Sequence, residues 1–419
     1  MNATESAAEL ALDTAESLRD PHIVTQGLTR AMAASLCDGL AGTALLHACL
    51  SRHEPRSAAV ASLHWESAAQ LTKQTRPAGI HTGQGGLAAS LIIGAGHLPN
   101  PERHRASASR AASWLSARAE ALADHQRQRS AQAKAGAPWA VYDAINGLSG
   151  IGRVLLAAHQ AGHHTARRGL DAALATLTGI LNNSSGTRPG WWLPASEHAP
   201  TVGVHSTGAA TTGLAHGIAG PISLLTSAAV AGIEVAGQQQ AIRRGTKWLT
   251  HWQEETGSWP PFISGEALDD TRHYVTRPGR RNAWCYGSPG IAVTLKRAGT
   301  LTRDDEAHAA ADRATASLAS IPRPSRDTEG PTVCHGSSGI LHAARRLGVM
   351  DLANDAAEQT MEAHDADLQF GFPHVEAGTR ADRPGFLTGA AGVAIALADY
   401  GKLIPETTTT PWDAVLLLA

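Results

Sequence analysis

The chain has 419 residues, with 35 Lys and Arg against 37 Asp and Glu, so its formal net charge is −2 with histidine neutral. This balance excludes the broad basic surface that binding to nucleic acid requires, and it excludes a polybasic membrane-binding face. Four cysteines are too few for a disulfide framework, and no stretch approaches the roughly 18 consecutive apolar residues of a membrane span. The polar N-terminus lacks the order of a signal peptide, so a soluble, cytoplasmic protein is expected.

A Gly-x-x-Gly motif followed by an apolar stretch occurs seven times along the chain. The glycine pairs are Gly39 and Gly42, Gly83 and Gly86, Gly147 and Gly150, Gly217 and Gly220, Gly287 and Gly290, Gly336 and Gly339, and Gly389 and Gly392. One match would be chance in a chain with 42 glycines, but seven that open similar segments indicate internal repeats. The motif starts are 44 to 70 residues apart, which leaves room for a pair of helices in each repeat.

The residues after the motifs have helical periodicity. Apolar residues recur at i, i+3, i+4 and i+7 after Gly150 and again after Gly392, which predicts amphipathic inner helices. The charged, Ala-rich segments 102–123 and 303–320 predict more exposed outer helices, and convincing strand alternation is scarce. The sequence therefore predicts an all-α protein, an α/α toroid of about seven inner and seven outer helices in a single domain over residues 1–419.

The longer spacings predict where the repeats depart from plain helix pairs. Residues 87–138 have room for a small insertion or for two helices, and residues 189–206 and 257–282 are predicted to be loops. The second loop holds Trp259, Pro260 and a basic cluster that includes Arg277 and Arg280, and we expect it to border a binding entrance. A solvated basic loop is the alternative for the two arginines. The apolar end of the chain, with Trp412, is expected to be buried.

Two cysteines have the same position relative to the repeat glycines. Cys285 lies two residues before Gly287, and Cys334 lies two residues before Gly336, with His335 beside it. If the glycines mark equivalent points of adjacent units, these three side chains converge on one rim of the central cavity. Two thiolates and an imidazole form a ligand set for Zn²⁺, and three protein ligands leave the fourth position open, as in catalytic sites. The alternative is that both cysteines are small buried hydrophobic residues.

Polar residues next to other motifs are predicted to face the same rim. His216 directly precedes the fourth motif, and Asp143 lies just before the third, although Asp143 is also placed to cap the following helix. Structural roles are favoured for the remaining four residues of interest, which are Cys37, Cys49, His81 and Asp38.

A zinc ion with two thiolate ligands suits the activation of a substrate thiol. Two thiolates neutralise the ion, so a thiol bound to it has a lowered pKa and its thiolate stays nucleophilic. Attack on an activated alkene would produce an enolate that must be protonated, a role suited to His216. Asp143 could orient that histidine or act as a base, and Arg281 could stabilise the enolate oxygen.

Taken together, the motifs resemble the lanthionine synthetase C-like family, the cyclases of lanthipeptide biosynthesis. The segments that carry the resemblance are residues 142–150, 213–217, 281–287, 334–336 and 386–389. The resemblance covers nearly the whole chain and implies an α/α toroid of seven inner and seven outer helices. It also implies zinc ligands at Cys285, Cys334 and His335, and a catalytic site lined by His216, Asp143, Arg281, Trp284 and Tyr286.

The activity implied by the resemblance is zinc-dependent, Michael-type addition of Cys thiols to dehydroalanine or dehydrobutyrine within a dehydrated precursor peptide. The expected partners are that peptide and a separate dehydratase, and peripheral membrane association is compatible with this activity. Three alternatives remain open: a glutathione-adding member of the family, a protein prenyltransferase-like toroid, which the doubled cysteine disfavours, and a non-catalytic zinc-bound peptide-binding scaffold. The scaffold would not require His216 or Asp143.

Overall fold

The computed structural model describes residues 2–72, 79–198, 203–274, 282–326, 329–376, 378–405 and 409–419. In chain order the α-helices are α1 (Ala3–Ser17), α2 (Pro21–Thr25), α3 (Arg30–Ala34), α4 (Leu40–Leu50), α5 (Ser57–Thr72), α6 (Gly83–Ala95), α7 (Glu102–Ala131), α8 (Trp139–Tyr142), α9 (Leu148–Gln160), α10 (Ala166–Asn182), α11 (Ala219–Val230), α12 (Gln238–His251), α13 (Gly265–Asp269), α14 (Ser288–Thr302), α15 (Asp305–Ser320), α16 (Arg323–Arg326), α17 (Ser337–Leu347), α18 (Met350–Glu362) and α19 (Ala390–Tyr400). The strands are β1 (Ser184–Ser185), β2 (Arg188–Pro189), β3 (Ala209–Thr211), β4 (Phe262–Ser264), β5 (Pro373–Glu376) and β6 (Thr379–Asp382).

Seven helices that begin at the repeat motifs form a closed inner ring. These helices are α4, α6, α9, α11, α14, α17 and α19, and each packs against the next, with α19 returning to α4. Every residue of α4 is buried, as expected for a helix that is surrounded by others. The outer helices α5, α7, α10, α12, α15 and α18 each follow an inner helix and pack against it. The predicted α/α toroid is confirmed.

The seventh outer helix comes from the beginning of the chain. Helix α19 is the last inner helix, and the helix that packs against its outer side is α1. Asn2 caps α1 through a hydrogen bond from the backbone N–H of Glu5, and the buried residues of α1 include Ala7, Ala11 and Ala15. This stripe at four-residue spacing allows a close approach to the inner ring. The first and last helices of the barrel thus close it together.

The outer helices are amphipathic, and α10 shows the pattern clearly. Its buried residues include Leu170, Leu174, Leu177 and Leu181, which lie on one face of a 3.6-residue helix. The exposed face carries charged pairs, such as the one between Arg167 and Asp171. Burial of the leucine stripe supplies the main free energy of docking, since a buried leucine contributes about 1.5–3 kcal/mol.

The second glycine of each motif allows the loop before an inner helix to pack tightly on the start of that helix. A Cβ atom at Gly290 would overlap the carbonyl oxygen of Trp284, and one at Gly339 would overlap that of Val333. In both cases the carbonyl belongs to the residue six positions earlier. The first glycine before α14, Gly287, has φ 122°, a conformation that side-chain-bearing residues rarely adopt.

The loops that precede the inner helices are joined into a ring by backbone hydrogen bonds. Six neighbouring pairs of loops are linked in the described part of the chain. The bonds, each from an amide to a carbonyl, run from Ile80 to Ile145, from Ala144 to Ala215, from Ala215 to Cys285, from Cys334 to Leu387, from Leu387 to Cys37 and from Cys37 to His81. Each accepting carbonyl belongs to the residue two positions before a repeat glycine. This ring makes these positions geometrically equivalent. The seventh neighbouring pair of loops carries Cys285 and Cys334.

The end of the chain fills the middle of the toroid. Residues Trp412–Leu416 form a 3-10 turn, and Trp412 and Leu416 are buried, which confirms the expected burial. The carbonyl of Leu416 accepts a hydrogen bond from the indole of Trp284 at 2.9 Å, and the carbonyl of Leu417 accepts one from the hydroxyl of Ser223. The segment therefore contacts inner helices from within the ring.

In the part of the chain that the structure describes, short strands outside the helical barrel form three antiparallel pairs, β1 with β2, β3 with β4 and β5 with β6. The prediction of a loop over residues 257–282 was wrong for part of that segment, which contains β4 and α13. Strand β4 has only three residues, too few for alternation to be recognised, and it exists because β3 pairs with it.

Residues 87–138 hold the end of α6 and the long helix α7. None of the helices that the structure describes has the length and apolar character to cross a membrane.

Candidate metal centre and its surroundings

The structure brings Cys285, Cys334 and His335 together at the end of the barrel where the inner helices begin. One potential ligand atom from each residue lies within 4.8 Å of the other two. The thiol sulfur of Cys334 is 3.5 Å from Nε2 of His335. The loops before α14 and α17 supply these side chains, and the ring of backbone bonds places the two cysteines at equivalent positions.

The donor set fits a divalent metal ion. Both cysteines are buried, and the hydrogen bond with the Cys285 thiol, together with burial, raises the pKa of the Cys334 thiol well above its usual value. A bound cation removes this penalty because a ligating thiol is deprotonated. Nδ1 of His335 lies 2.9 Å from the carboxylate of Glu329, which leaves Nε2 facing the thiols. A carboxylate behind a histidine is the usual partner that orients a ligating imidazole.

His216 and Asp143 form a hydrogen-bonded pair at the same end of the barrel. Nδ1 of His216 is 2.6 Å from Oδ2 of Asp143, and Asp143 is fully buried. The other carboxylate oxygen accepts hydrogen bonds from the backbone N–H groups of Asn146 and Gly147, at 2.7 and 2.9 Å. Asp143 therefore holds the loop before α9 and also orients the histidine, but it does not cap that helix, whose N-cap residue is Gly147. With Nδ1 directed to Asp143, Nε2 is the nitrogen left for chemistry.

The surroundings of His216 favour its protonated form. Burial lowers the pKa of His216, but the hydrogen bond and charge of Asp143, together with the charge of Cys285, outweigh burial and raise the pKa above 6.5. The ring of Tyr286, the residue after Cys285, lies 6.1 Å from that of His216, so the histidine is close to the ligand cluster. Part of the histidine side chain, 27%, remains exposed.

An aromatic wall, formed by Trp139, Phe262 and Tyr286, surrounds the histidine. Trp139 stacks on His216, with ring centroids 4.9 Å apart and planes 19° from parallel, and Tyr286 lies 6.1 Å from the histidine on another side. Phe262 completes the wall at 6.3 Å from both Trp139 and Tyr286. Burial raises the pKa of the Tyr286 hydroxyl, which therefore stays protonated at neutral pH.

Two members of the wall were missed by sequence reasoning. Trp139 lies in α8, four residues before Asp143, outside any repeat motif, and Phe262 follows Pro260 in the segment expected at the entrance. For Trp139, the one signal in the sequence was a large aromatic residue directly after Pro138. The spacing of the repeat motifs did not indicate that α8 reaches His216. Pro260 and Phe262 also line a neighbouring cavity of about 270 Å³. Trp259 itself is buried, and its indole donates to the carbonyl of Leu249.

Two further residues were predicted to line the catalytic site, Trp284 and Arg281. Trp284 is fully buried, and its indole donates a hydrogen bond to the carbonyl of Leu416. Its ring centroid lies 6.3 Å from that of His81, so Trp284 supports the Cys285 loop from the interior of the barrel. Arg281, like Arg277 and Arg280, lies outside the described residues.

The residues predicted to be structural are placed as follows. Cys49 is fully buried on α4, His81 is buried, and Asp38 accepts a hydrogen bond from the hydroxyl of Ser35. Cys37 is half-buried, and burial followed by the charge of Asp38 raises the pKa of its thiol.

A closed ring of seven helix pairs, with two thiols and an imidazole gathered at one rim, defines the class of protein: an α/α toroid with a candidate metal centre. The model of the family described as lanthionine synthetase C-like protein matches residues 30–417, and the chain belongs to this family.

The chain is also similar to individual proteins. The chain is 26% identical over 294 residues to the nisin biosynthesis protein NisC of Lactococcus lactis subsp. lactis, a match that spans 66% of this chain and 64% of that protein, slightly less than two thirds. The solved structure of a nisin cyclase superposes with a TM-score of 0.70 at 20% identity, covering 98% of this chain and 96% of the other. At that identity the structural likeness establishes the fold.

Proposed function

We propose that this protein is a lanthipeptide cyclase, which adds Cys thiols of a dehydrated precursor peptide to dehydroalanine or dehydrobutyrine and so forms thioether rings. The observation that carries the proposal is the meeting of a two-thiol, one-imidazole ligand set with the His216–Asp143 pair at one end of the toroid. Membership of the lanthionine synthetase C-like family and the similarity to a nisin biosynthesis protein support it.

Cys285, Cys334 and His335 would hold Zn²⁺, which suits a tetrahedral site of sulfur and nitrogen ligands. When bound, the ion lowers the pKa of a substrate thiol so that the thiolate is available as nucleophile. The carboxylate of Glu329 keeps the His335 imidazole oriented for this role, 2.9 Å from its Nδ1.

His216 supplies the proton that the addition consumes. A carbon–sulfur bond forms at the alkene β-carbon, the carbon–carbon double bond becomes an enolate, and Nε2 of protonated His216 delivers a proton to the α-carbon. The substrate thiol releases one proton to solvent, and His216 regains from solvent the proton that it gives to the α-carbon, so the reaction is balanced without a co-reactant. Buried Asp143 stabilises the imidazolium and fixes its orientation. Arg281 remains our proposal for stabilising the enolate oxygen.

The aromatic wall suits a peptide substrate. Trp139, Phe262 and Tyr286 present flat, largely apolar surfaces next to the proposed proton donor, where they exclude water from the reacting carbon and contact the peptide. In this proposal the partners are the dehydrated precursor peptide and a separate dehydratase, and the protein acts in the cytoplasm.

The proposal is tested with dehydrated precursor peptide and three variants. His216→Asn should keep the metal and the fold but slow ring formation by about 10²–10⁴-fold, the usual effect of losing a general acid. Cys334→Ala should lose both metal and activity, whereas Cys49→Ala, which changes the buried cysteine of α4, should keep both. Metal analysis, thermal melting and mass spectrometry after thiol alkylation measure metal, fold and rings separately.

The same assay distinguishes the alternatives. Ring formation by His216→Asn at the parent rate would refute the proton-donor role, and loss of metal from this variant would make His216 a ligand. A glutathione-adding enzyme would modify a dehydrated peptide that lacks cysteine when glutathione is supplied, and a lanthipeptide cyclase would not. A scaffold would bind the peptide without accelerating ring closure.

A further inference from the structure

A second cavity lies at the other end of the barrel, where the inner helices finish. It measures about 570 Å³ and is lined by residues near the carboxyl ends of α9, α11, α17 and α19 and by the final segment of the chain. The metal ligands and His216 belong instead to loops that precede inner helices. The two sites are therefore separated by the length of the inner helices.

Arginine side chains from three inner helices dominate this second cavity. They are Arg153 of α9, Arg297 of α14, and Arg345 and Arg346 of α17. Two carboxylates oppose them: Asp399 pairs with Arg345 at 3.3 Å, and buried Asp413 accepts two hydrogen bonds from Arg346, at 2.7 and 2.8 Å. The main-chain oxygen of Ala419 also accepts hydrogen bonds from the cluster.

Arg153 is the least compensated of the four. It is only 4% exposed, and its Nε donates a hydrogen bond to the oxygen of Ala419 at 3.4 Å. The same oxygen also accepts a hydrogen bond from Nη1 of Arg297 at 2.6 Å. Nη1 of Arg153 is buried and has no hydrogen-bond partner among the described residues. Burial, and then the charge of Arg297, lower the pKa of Arg153 to about 10. A buried guanidinium with an unused donor is costly, and an anion in the cavity would remove that cost.

The mouth of the cavity is apolar. Val230, at the end of α11, is 68% exposed, and Met350, at the start of α18, is 47% exposed. Both line the cavity, and Leu63 on α5 is the one other large hydrophobic residue with comparable exposure in the described chain. An arginine floor below an apolar rim thus distinguishes this opening from the rest of the surface.

We propose that this cavity binds a small oxyanion of the phosphate class, held by the guanidinium groups of Arg153, Arg297 and Arg345. A guanidinium presents parallel N–H donors at the spacing of phosphate oxygens, which is why arginine is the usual residue for such ligands. The ligand is either a free phosphate-bearing metabolite or the headgroup of an anionic lipid, whose chains would meet Val230 and Met350. The proposal is independent of the cyclase chemistry.

Inorganic phosphate is the first probe, measured by calorimetry on the full chain at constant ionic strength. Parent protein should bind phosphate, and Arg153→Gln should bind it at least about tenfold more weakly, because hydrogen bonds from charged donors are lost. Val230→Glu places a carboxylate at the exposed mouth and should weaken binding as well, without disturbing the core. Val230→Lys should preserve binding, and Leu63→Glu, an equivalent change on α5, should leave it unchanged.

Two further measurements complete the test. Cys334→Ala should bind phosphate like the parent, whereas binding that disappears with this variant would belong to the metal centre and overturn the proposal. Cosedimentation with phosphatidylglycerol vesicles, with phosphatidylcholine vesicles as control, distinguishes a lipid headgroup from a free anion. Absence of phosphate binding by the parent, or equal binding by parent and Val230→Glu, would refute the site even if Arg153→Gln failed to fold.

Discussion

At the scale of single residues, Asp143 combines two roles through its two carboxylate oxygens. One oxygen accepts from the backbone amides of Asn146 and Gly147, and the other faces Nδ1 of His216. The backbone bonds hold the carboxylate rigidly, so the orientation of the histidine follows from the local fold of the loop before α9. A negative charge held in this way raises the pKa of His216 despite its burial.

Replacing Asp143 with Asn should move the pH dependence of ring formation. The amide oxygen can still accept the backbone bonds, but the negative charge beside His216 is lost, so the pKa of His216 falls. The acid form of His216 supports the reaction below its pKa and is lost as pH rises through it. We therefore expect the alkaline limb of the rate profile to shift to lower pH in Asp143→Asn.

Rates measured across the pH range at saturating dehydrated peptide provide the check. The metal content should be unchanged, because Asp143 is not among the clustered ligands. An alkaline limb at the same pH in the parent and in Asp143→Asn would show that His216 does not set it.

At the scale of elements, the repeat motif works because its second glycine accepts close contact with the preceding loop. The loop before α14 carries both Cys285 and Trp284, and the carbonyl of Trp284 packs against Gly290. The backbone ring depends on the same geometry, since the carbonyl of Cys285 accepts from the amide of Ala215. A disturbance at the start of α14 would therefore reach Cys285, a residue of the candidate metal centre, directly.

Gly290→Ala should destabilise the protein by about 1–3 kcal/mol, because the added methyl group must displace backbone rather than a flexible side chain. The matched control is Gly179→Ala in α10, where an added Cβ meets no atom within 4 Å. That change should stabilise the protein by about 0.5–1 kcal/mol through helix propensity. Denaturant unfolding with metal analysis measures both effects, and equal stability of the two variants would contradict this account.

At the scale of the whole molecule, closure depends on both ends of the chain. Helix α1 covers the last inner helix, and the final segment occupies the middle of the ring. Asp413 anchors that segment: it is fully buried, and its Oδ2 lies 2.8 Å from Nε2 of His342. Burial alone would raise the pKa of Asp413, but the charge of and hydrogen bond with His342, together with Arg346, hold it well below its usual range.

Asp413→Ala should cost about 3–5 kcal/mol of unfolding free energy, since it leaves Nε2 of buried His342 and the guanidinium of Arg346 without their carboxylate partner, and only Asp399, 3.5 Å from Nδ1, still faces the histidine. Asp312→Ala provides the control, because Asp312 pairs with Lys296 on the surface with 67% of its side chain exposed. Exposed pairs of this kind contribute about 0–1 kcal/mol. Chemical denaturation near neutral pH would reveal the difference, and similar losses in both variants would argue against anchoring by Asp413.

The sequence alone predicted the repeat count, the beginnings of the seven inner helices and the three residues that meet in the candidate metal centre. These features are local: a glycine pair and a helical period are properties of a few consecutive residues. The common offset of Cys285 and Cys334 from their glycines was informative because the backbone ring makes that position equivalent in every repeat.

Which distant segments meet depends on tertiary packing and could not be predicted from local sequence. Tertiary packing paired α1 with α19, brought Trp139 and Phe262 to His216, and turned Trp284 towards the end of the chain. It also gathered arginines from three inner helices around one cavity. None of these contacts has a local signature, because the side chains lie far apart in sequence and each spacing is compatible with many arrangements. Closure of the ring, driven by burial of the helix faces, selects one of them.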